Sequence, residues 1–137
     1  MPRNHHRPLD VDTVYRIERL GPPALSPDGR LAVCSVATPS MADNSTASSL
    51  WLFPTTGAVR PRRLTRCGDK DGQPTWSPRG YRIAFVARRE VGGKKDATPQ
   101  LYLIAPDGGE AERISDFAAG IGSFKWLPDG RRIVFSA

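Results

Sequence analysis

What most limits the fold of this chain is a motif that occurs three times at a spacing near fifty residues. The first copy is Pro23-Ala24-Leu25-Ser26-Pro27-Asp28-Gly29-Arg30-Leu31-Ala32-Val33-Cys34-Ser35. The second is Pro74-Thr75-Trp76-Ser77-Pro78-Arg79-Gly80-Tyr81-Arg82-Ile83-Ala84-Phe85-Val86, and the third is Phe124-Lys125-Trp126-Leu127-Pro128-Asp129-Gly130-Arg131-Arg132-Ile133-Val134-Phe135. From Pro27 to Pro78 is 51 positions, and from Pro78 to Pro128 is 50. A fixed period of this size marks a repeat architecture, in which one supersecondary unit buries its apolar face only by stacking on the next.

Each copy reads as a short strand, a tight turn and an apolar strand. Pro in the second turn position and Gly in the fourth suit a type I turn closed by a left-handed residue, a common hairpin loop. Gly29, Gly80 and Gly130 are present in all copies, because a left-handed backbone costs glycine least. Asp28 and Asp129 give way to Arg79 in the middle copy, whose position asks only for a right-handed backbone. Turn chemistry therefore accounts for both aspartates, without a metal or catalytic role.

The second half of the unit repeats as well. Leu50-Trp51-Leu52-Phe53 matches Leu101-Tyr102-Leu103-Ile104 at a spacing of 51, the turn at residues 54–57 recurs at 106–109, and Arg63-Leu64-Thr65 matches Arg113-Ile114-Ser115. Four strands joined by hairpins make a small antiparallel meander. Its second strand is apolar at consecutive positions, as in Ile83-Ala84-Phe85-Val86. A sheet with one wet face would alternate, so both faces are expected to be covered.

A unit of this length with four strands and two covered faces is a β-propeller blade. The expected fold is all-β: a partial propeller of about two and a half four-stranded antiparallel blades, preceded by a short N-terminal helix. Blades are placed at residues 23–66 and 74–116, with a half blade at 123–137. Residues 69–73 link the first two, and their Asp69-Lys70-Asp71-Gly72 lacks the residues a calcium loop requires further on. Residues 1–8 are expected to be a disordered tail. Residues 9–22 form a helix segment capped by Asp10 or Asp12, with Val14, Ile17 and Leu20 on its apolar side and Gly21-Pro22-Pro23 at its end. Residues 38–48 are expected to be a polar loop; their Asn44-Ser45-Thr46 has the form of a glycosylation acceptor. Propellers close with four to eight blades, so the chain is expected to be a fragment of a longer protein or a truncated gene product.

Composition excludes several function classes. Pro and Gly number thirteen each, which fits many turns and few long helices. Cys34 and Cys67 are too few for a disulfide framework and lack metal-ligand spacing; Cys34, at the repeat position of Phe85 and Phe135, is expected to be a buried free thiol. A net charge of +6 raises nucleic acid as a partner. The basic clusters at Arg60, Arg62, Arg63 and Arg66 and at Arg88, Arg89, Lys94 and Lys95 lack the interleaved aromatics of a stacking platform, so a solvated surface is expected. His5 and His6 lie in the tail. No apolar leader and no run of eighteen apolar residues is seen, and the expectation is a cytoplasmic protein with no membrane and no nucleic-acid partner.

The pattern Ser-Pro-Asp-Gly-Arg, an apolar strand, Leu-Trp-Leu or Leu-Tyr-Leu, a Gly turn and Arg-Arg-Leu-Thr resembles the TolB-type β-propeller repeat. That repeat occurs in TolB and in the propeller domain of prolyl-oligopeptidase-family serine peptidases of the acylaminoacyl-peptidase and dipeptidyl-peptidase branch. The stretch from Leu9 through Arg30 is similar to the N-terminal helix and first blade of those enzymes. The resemblance implies the non-catalytic N-terminal part of a serine peptidase acting on short or N-acylated peptides, gating access to a C-terminal α/β-hydrolase domain. The nucleophile elbow and triad of that domain are missing here. No catalytic, cofactor-binding or metal-binding residue is therefore assigned, and no cofactor is expected. A TolB-like, free-standing propeller that binds proteins is the other reading the repeats allow.

Overall fold

The computed structural model describes residues 8–66, 68 and 70–137. The expected disordered tail falls almost wholly outside these residues, as do Cys67 and Asp69.

Thirteen strands and one short helix make up the described chain. Asp10 caps helix α1, Val11–Tyr15, by accepting from the Thr13 amide. The helix is shorter than its apolar spacing suggests. Its C-cap is Arg16, and Leu20 belongs to a strand, β1 (Arg19–Leu20), which pairs with Ala37 and Val36. Two residues of β2, Ala24–Leu25, pair further along the same edge, with Val33 and Ala32. Residues 19–25 are thus one inner strand interrupted by a bulge at Gly21-Pro22-Pro23. A ladder partner with unpaired backbone groups recruits Leu20 more strongly than a two-turn helix could.

The first sheet continues with β3 (Leu31–Ser40), β4 (Ser45–Pro54) and β5 (Arg62–Arg63). β3 and β4 pair without interruption from Leu31↔Pro54 to Ser40↔Ser45, so most of the stretch read as a polar loop is a long hairpin. Asn44, at φ 46, takes the left-handed position in its turn. Threonine and serine favour extended backbone here, and polar side chains suit a hairpin that rises clear of the core.

The second sheet has the order β11-β10-β7-β6. Its strands are β6 (Gly72–Trp76), β7 (Ile83–Ala87), β10 (Gln100–Ala105) and β11 (Gly108–Arg113). β11 begins at the glycine turn and ends before Ile114 and Ser115, which the repeat had placed in it. Between β7 and β10, a small hairpin projects, β8 (Glu90–Val91) and β9 (Lys94–Lys95), turned by Gly92 and Gly93 at φ 60 and 79. Positive φ at both central residues is the hairpin turn that matches strand twist. The third sheet has only β12 (Ser123–Trp126) and β13 (Ile133–Ser136).

All five residues of β7 are buried, as the unbroken apolar run requires. Alternate side chains go to opposite neighbours. Ile83, Phe85 and Ala87 join Val33, Leu50, Leu52 and Leu64 of the first sheet, whereas Val86 packs with Ile121, Phe124 and Ile133 toward the third. The core of this molecule lies between sheets. On the third sheet Val134 remains exposed on one face, while Phe135, part-exposed on the other, meets the ring of Phe117 edge-on.

Candidate functional site

The three turns of the motif lie side by side at one end of the blades. Gly29, Gly80 and Gly130 have φ of 71, 76 and 66, the left-handed closure expected of them. A Cβ added at Gly80 would stand 3.4 Å from Pro27, and one at Gly130 3.7 Å from Pro78, so each turn glycine sits on the turn proline of the blade before. Asp28 accepts from the Ser26 hydroxyl at 2.6 Å and from the Arg30 amide at 3.0 Å, and these bonds hold its carboxyl below the ordinary range. Asp129 accepts from the amides of Arg131 and Arg132 and from the Arg132 guanidinium, with the same result.

The tryptophans join the blades. Trp76 donates its indole N–H to the Ala24 carbonyl at 2.9 Å, and Trp126 donates to the Thr75 carbonyl at 3.3 Å. In both, the acceptor is the residue just before the same repeat position one blade back. Leu25 occupies that position in the first copy and is exposed. A further repeat position is Gly21, Gly72 and Gly122. Gly21 and Gly122 donate to Ser35 and Ser136, and Gly72 pairs with Val86. The signal was available in the residue spacing, four before Leu25, Trp76 and Trp126, but lay outside the motif as first delimited.

At the opposite end, where β7 leads to β10, a buried polar cluster occupies the junction of the first two blades. Asp71 is fully buried and receives Arg89 in a two-pronged pair, Nε to Oδ1 at 3.2 Å and Nη2 to Oδ2 at 2.7 Å. The same guanidinium lies over the rings of Phe85 and Tyr102, 5.1 and 5.6 Å from their centroids. Tyr102 donates its hydroxyl to Asp96 at 2.6 Å, and Arg113 stands 3.1 Å from the other Asp96 oxygen. Burial first, then the hydrogen bond and charge of Asp96, push the Tyr102 phenol well up, so it remains a proton donor. Two aspartates and two arginines balance in charge. Paired in this way, they can sustain desolvation, whereas removing one partner would leave a buried charge.

Between β5 and β11 the outer strands diverge around a cleft of about 1130 Å³. Leu64, Tyr102 and Ile104 line it, with Arg62, Arg63 and Arg66 on one side and Glu110 and Glu112 on the other. The two basic clusters are therefore split. Arg62, Arg63 and Arg66 of the first line this cleft, and Arg89 of the second, which also borders it, is paired with Asp71. Cys34 is buried and unpaired, and burial raises its thiol above the ordinary value. Among the described residues, no three His, Cys, Asp or Glu side chains come together as a metal site, and no helix is long and apolar enough to cross a membrane.

What these groups do chemically is hold blades in register. No protein-family model matches the sequence. The chain is 32% identical over 127 residues to the uncharacterized peptidase YuxL of Bacillus subtilis, covering 92% of this chain and 18% of that protein. It is 31% identical over 129 residues to dipeptidyl-peptidase 5 of Porphyromonas endodontalis, covering 94% and 18%. TolB of Alcanivorax borkumensis is 30% identical over 77 residues, 56% of this chain and 17% of that one. Among solved structures, Pyrococcus horikoshii acylaminoacyl peptidase superposes with a TM-score of 0.70 at 18% identity, over 90% of this chain and 18% of that one. The β-propeller domain of the Pyrococcus furiosus trilobed protease superposes at 0.65 and 19% identity, over 86% and 33%. The chain spans about a fifth of the length of the curated relatives it matches. Blades stacked through repeated Trp-to-carbonyl bonds, with similarity along nearly the whole sequence, make this chain a partial β-propeller of TolB-type repeats, similar to the propeller part of dipeptidyl- and acylaminoacyl-peptidases.

Proposed function

We propose that the chain is the non-catalytic N-terminal propeller portion of a serine peptidase acting on short or N-acylated peptides, and that its blades restrict access to an α/β-hydrolase domain carried elsewhere in the same protein. The observation that carries this reading is the match to two peptidases over more than nine-tenths of the chain. Hydrolysis needs a nucleophile activated by a neighbouring base and donors for the developing oxyanion. The polar groups described above are instead bound to one another, so the contribution of these residues is shape. Val14 on α1 and Ile17 just beyond its C-cap are about half exposed, and we place them against the hydrolase domain. The buried, unpaired Cys34 fits a reducing compartment, in keeping with a cytoplasmic location.

The purified chain should cleave neither acyl-amino-acid nor dipeptide chromogenic substrates above a buffer blank, while the full product of its gene should do so and should label with a fluorophosphonate probe. Labelling of the bare chain, or a full product that never labels, would overturn the assignment. The second outcome would favour a TolB-like binding scaffold, a reading supported by the TolB match over 56% of the chain.

A further inference from the structure

The cleft between β5 and β11 is bounded by backbone edges as well as by side chains. Every residue of β11, from Gly108 to Arg113, borders it. Side chains of a strand alternate between faces, so an unbroken run along one cleft means that the free edge of the strand lies there. β11 is the last strand of its sheet, hydrogen-bonded to β10 on one side only. β5 ends the first sheet in the same way, and Arg62 through Arg66 border the cleft from that side. β5 has 2 residues against 6 in its counterpart, which leaves the cleft open along the height of the blade. Arg62 closes one end by donating to the Pro106 carbonyl, and Glu90 and Val91 of β8 bound the other. A strand edge of this kind presents a row of unpaired N–H and C=O groups.

Charge narrows what could pair with it. From Asn44 to Gly68 the first blade carries Arg60, Arg62, Arg63 and Arg66 and no acidic residue. Arg66 is exposed and, among the described residues, makes no hydrogen bond or ion pair. Arg63 uses its Nε on the Thr65 carbonyl and has no carboxylate partner among them. On β11, Ala111 packs on the inter-blade core, so the side chains of Glu110 and Glu112 belong to the opposite face. A strand laid along this edge continues the alternation. Its residues on the face of Ala111 meet the arginines of the first blade, and those on the other face come beside the two glutamates. Acidic side chains suit the first set, and uncharged ones the second. A second copy of β11 in the same place would instead set its own Glu110 and Glu112 beside this pair, and like charges side by side are destabilising.

We propose that this cleft binds an extended acidic peptide, which adds as a strand to the free edge of β11 with its acidic side chains toward Arg63 and Arg66. Main-chain hydrogen bonds supply the affinity of such a site, and alternate side chains supply its selectivity. The site lies on the outer strands of the blades and does not depend on the peptidase reading.

The test is fluorescence anisotropy on the full gene product, treated with fluorophosphonate, with a rhodamine-labelled peptide of alternating Glu and Thr blocked at both ends. Binding should be saturable. Arg66→Glu should weaken it at least ~tenfold, the worth of a charged hydrogen bond. Arg60→Glu, the same change of charge on a residue that does not line the cleft, should stay within about twofold. N-methylation at every second residue of the peptide removes the amides of one strand edge and leaves the protein unaltered. At least one of the two methylation patterns should therefore weaken binding ~tenfold or more. No saturable binding, equal effects of Arg60→Glu and Arg66→Glu, or full binding by both methylated peptides would overturn the proposal. So would a dimer in analytical ultracentrifugation that excludes the peptide. Each of these outcomes reads the same whether or not the product labels with fluorophosphonate, so the function proposed above is judged separately.

Discussion

Replacing Trp76 by phenylalanine tests whether the indole bond between blades stabilises the molecule. The residue is 7% exposed, belongs to the inter-blade core, and donates to Ala24 at 2.9 Å. Phenylalanine keeps most of the ring packing but removes the donor and leaves the carbonyl unpaired. A net hydrogen bond contributes about 1 kcal/mol, and Ala24 is only half-buried, so water recovers part of the acceptor's loss. The smaller ring gives up apolar contact of about one methylene, roughly another 0.8 kcal/mol. The expected cost is therefore about 2 kcal/mol, which at a urea slope of about 2 kcal/mol/M lowers the midpoint by about 1 M. Trp126→Phe supplies the internal comparison. Its bond is longer, 3.3 Å, and its ring is half-buried, so it should cost about 1 kcal/mol or less. Urea unfolding of the dilute chain, followed by far-ultraviolet circular dichroism, gives both values. A Trp76→Phe change within about 0.5 kcal/mol of the parent, the scatter of ordinary surface substitutions, would refute the staple, as would a larger loss at Trp126.

Two further outcomes follow from the turns. Gly80→Ala should destabilise by about 1–2 kcal/mol, because it forces a left-handed Cβ against Pro27, whereas Gly72→Ala, with open space around its Cβ, should be neutral or slightly stabilising in the same unfolding assay. Asp28 and Asp129 titrate below their ordinary value near 3.8 when folded, so their stabilisation is complete above that value and is lost as pH falls through the lower folded ones. Asp28→Asn with Asp129→Asn should therefore flatten the acid limb of the stability profile below about pH 5, and an unchanged limb would show that these turns do not sense acid.

The legible part of this fold was everything that repeats within one motif. Pro, Gly and a continuous apolar strand are local signals, so the turns, the covered strands and the stacking of sheets could be read from residues alone. The Trp positions were legible as equivalents but their acceptors were not, because a carbonyl carries no residue signature. Leu20 was misplaced since helix spacing and a two-residue edge strand look alike over so short a run. The β3–β4 hairpin was hidden by its polarity, although Asn44, suited to a left-handed turn, marked its tip. The cluster of Asp71, Arg89, Asp96, Tyr102 and Arg113 could not be found, because its parts come from a linker, a hairpin base and two strands that only folding brings together.

The Trp-to-carbonyl bond has a bearing on how such a chain could have grown. Each copy of the motif after the first carries a donor whose acceptor lies in the copy before it, and each supplies an acceptor that its own residues cannot fill. A lone copy would leave both groups unmatched, and a tandem pair satisfies one of each. Every added copy then leaves the number of unmatched ends the same while increasing the number of satisfied bonds. Stacking of each further copy is therefore stabilising from the second copy onward, and the unit that these bonds define need not begin or end where a sheet does.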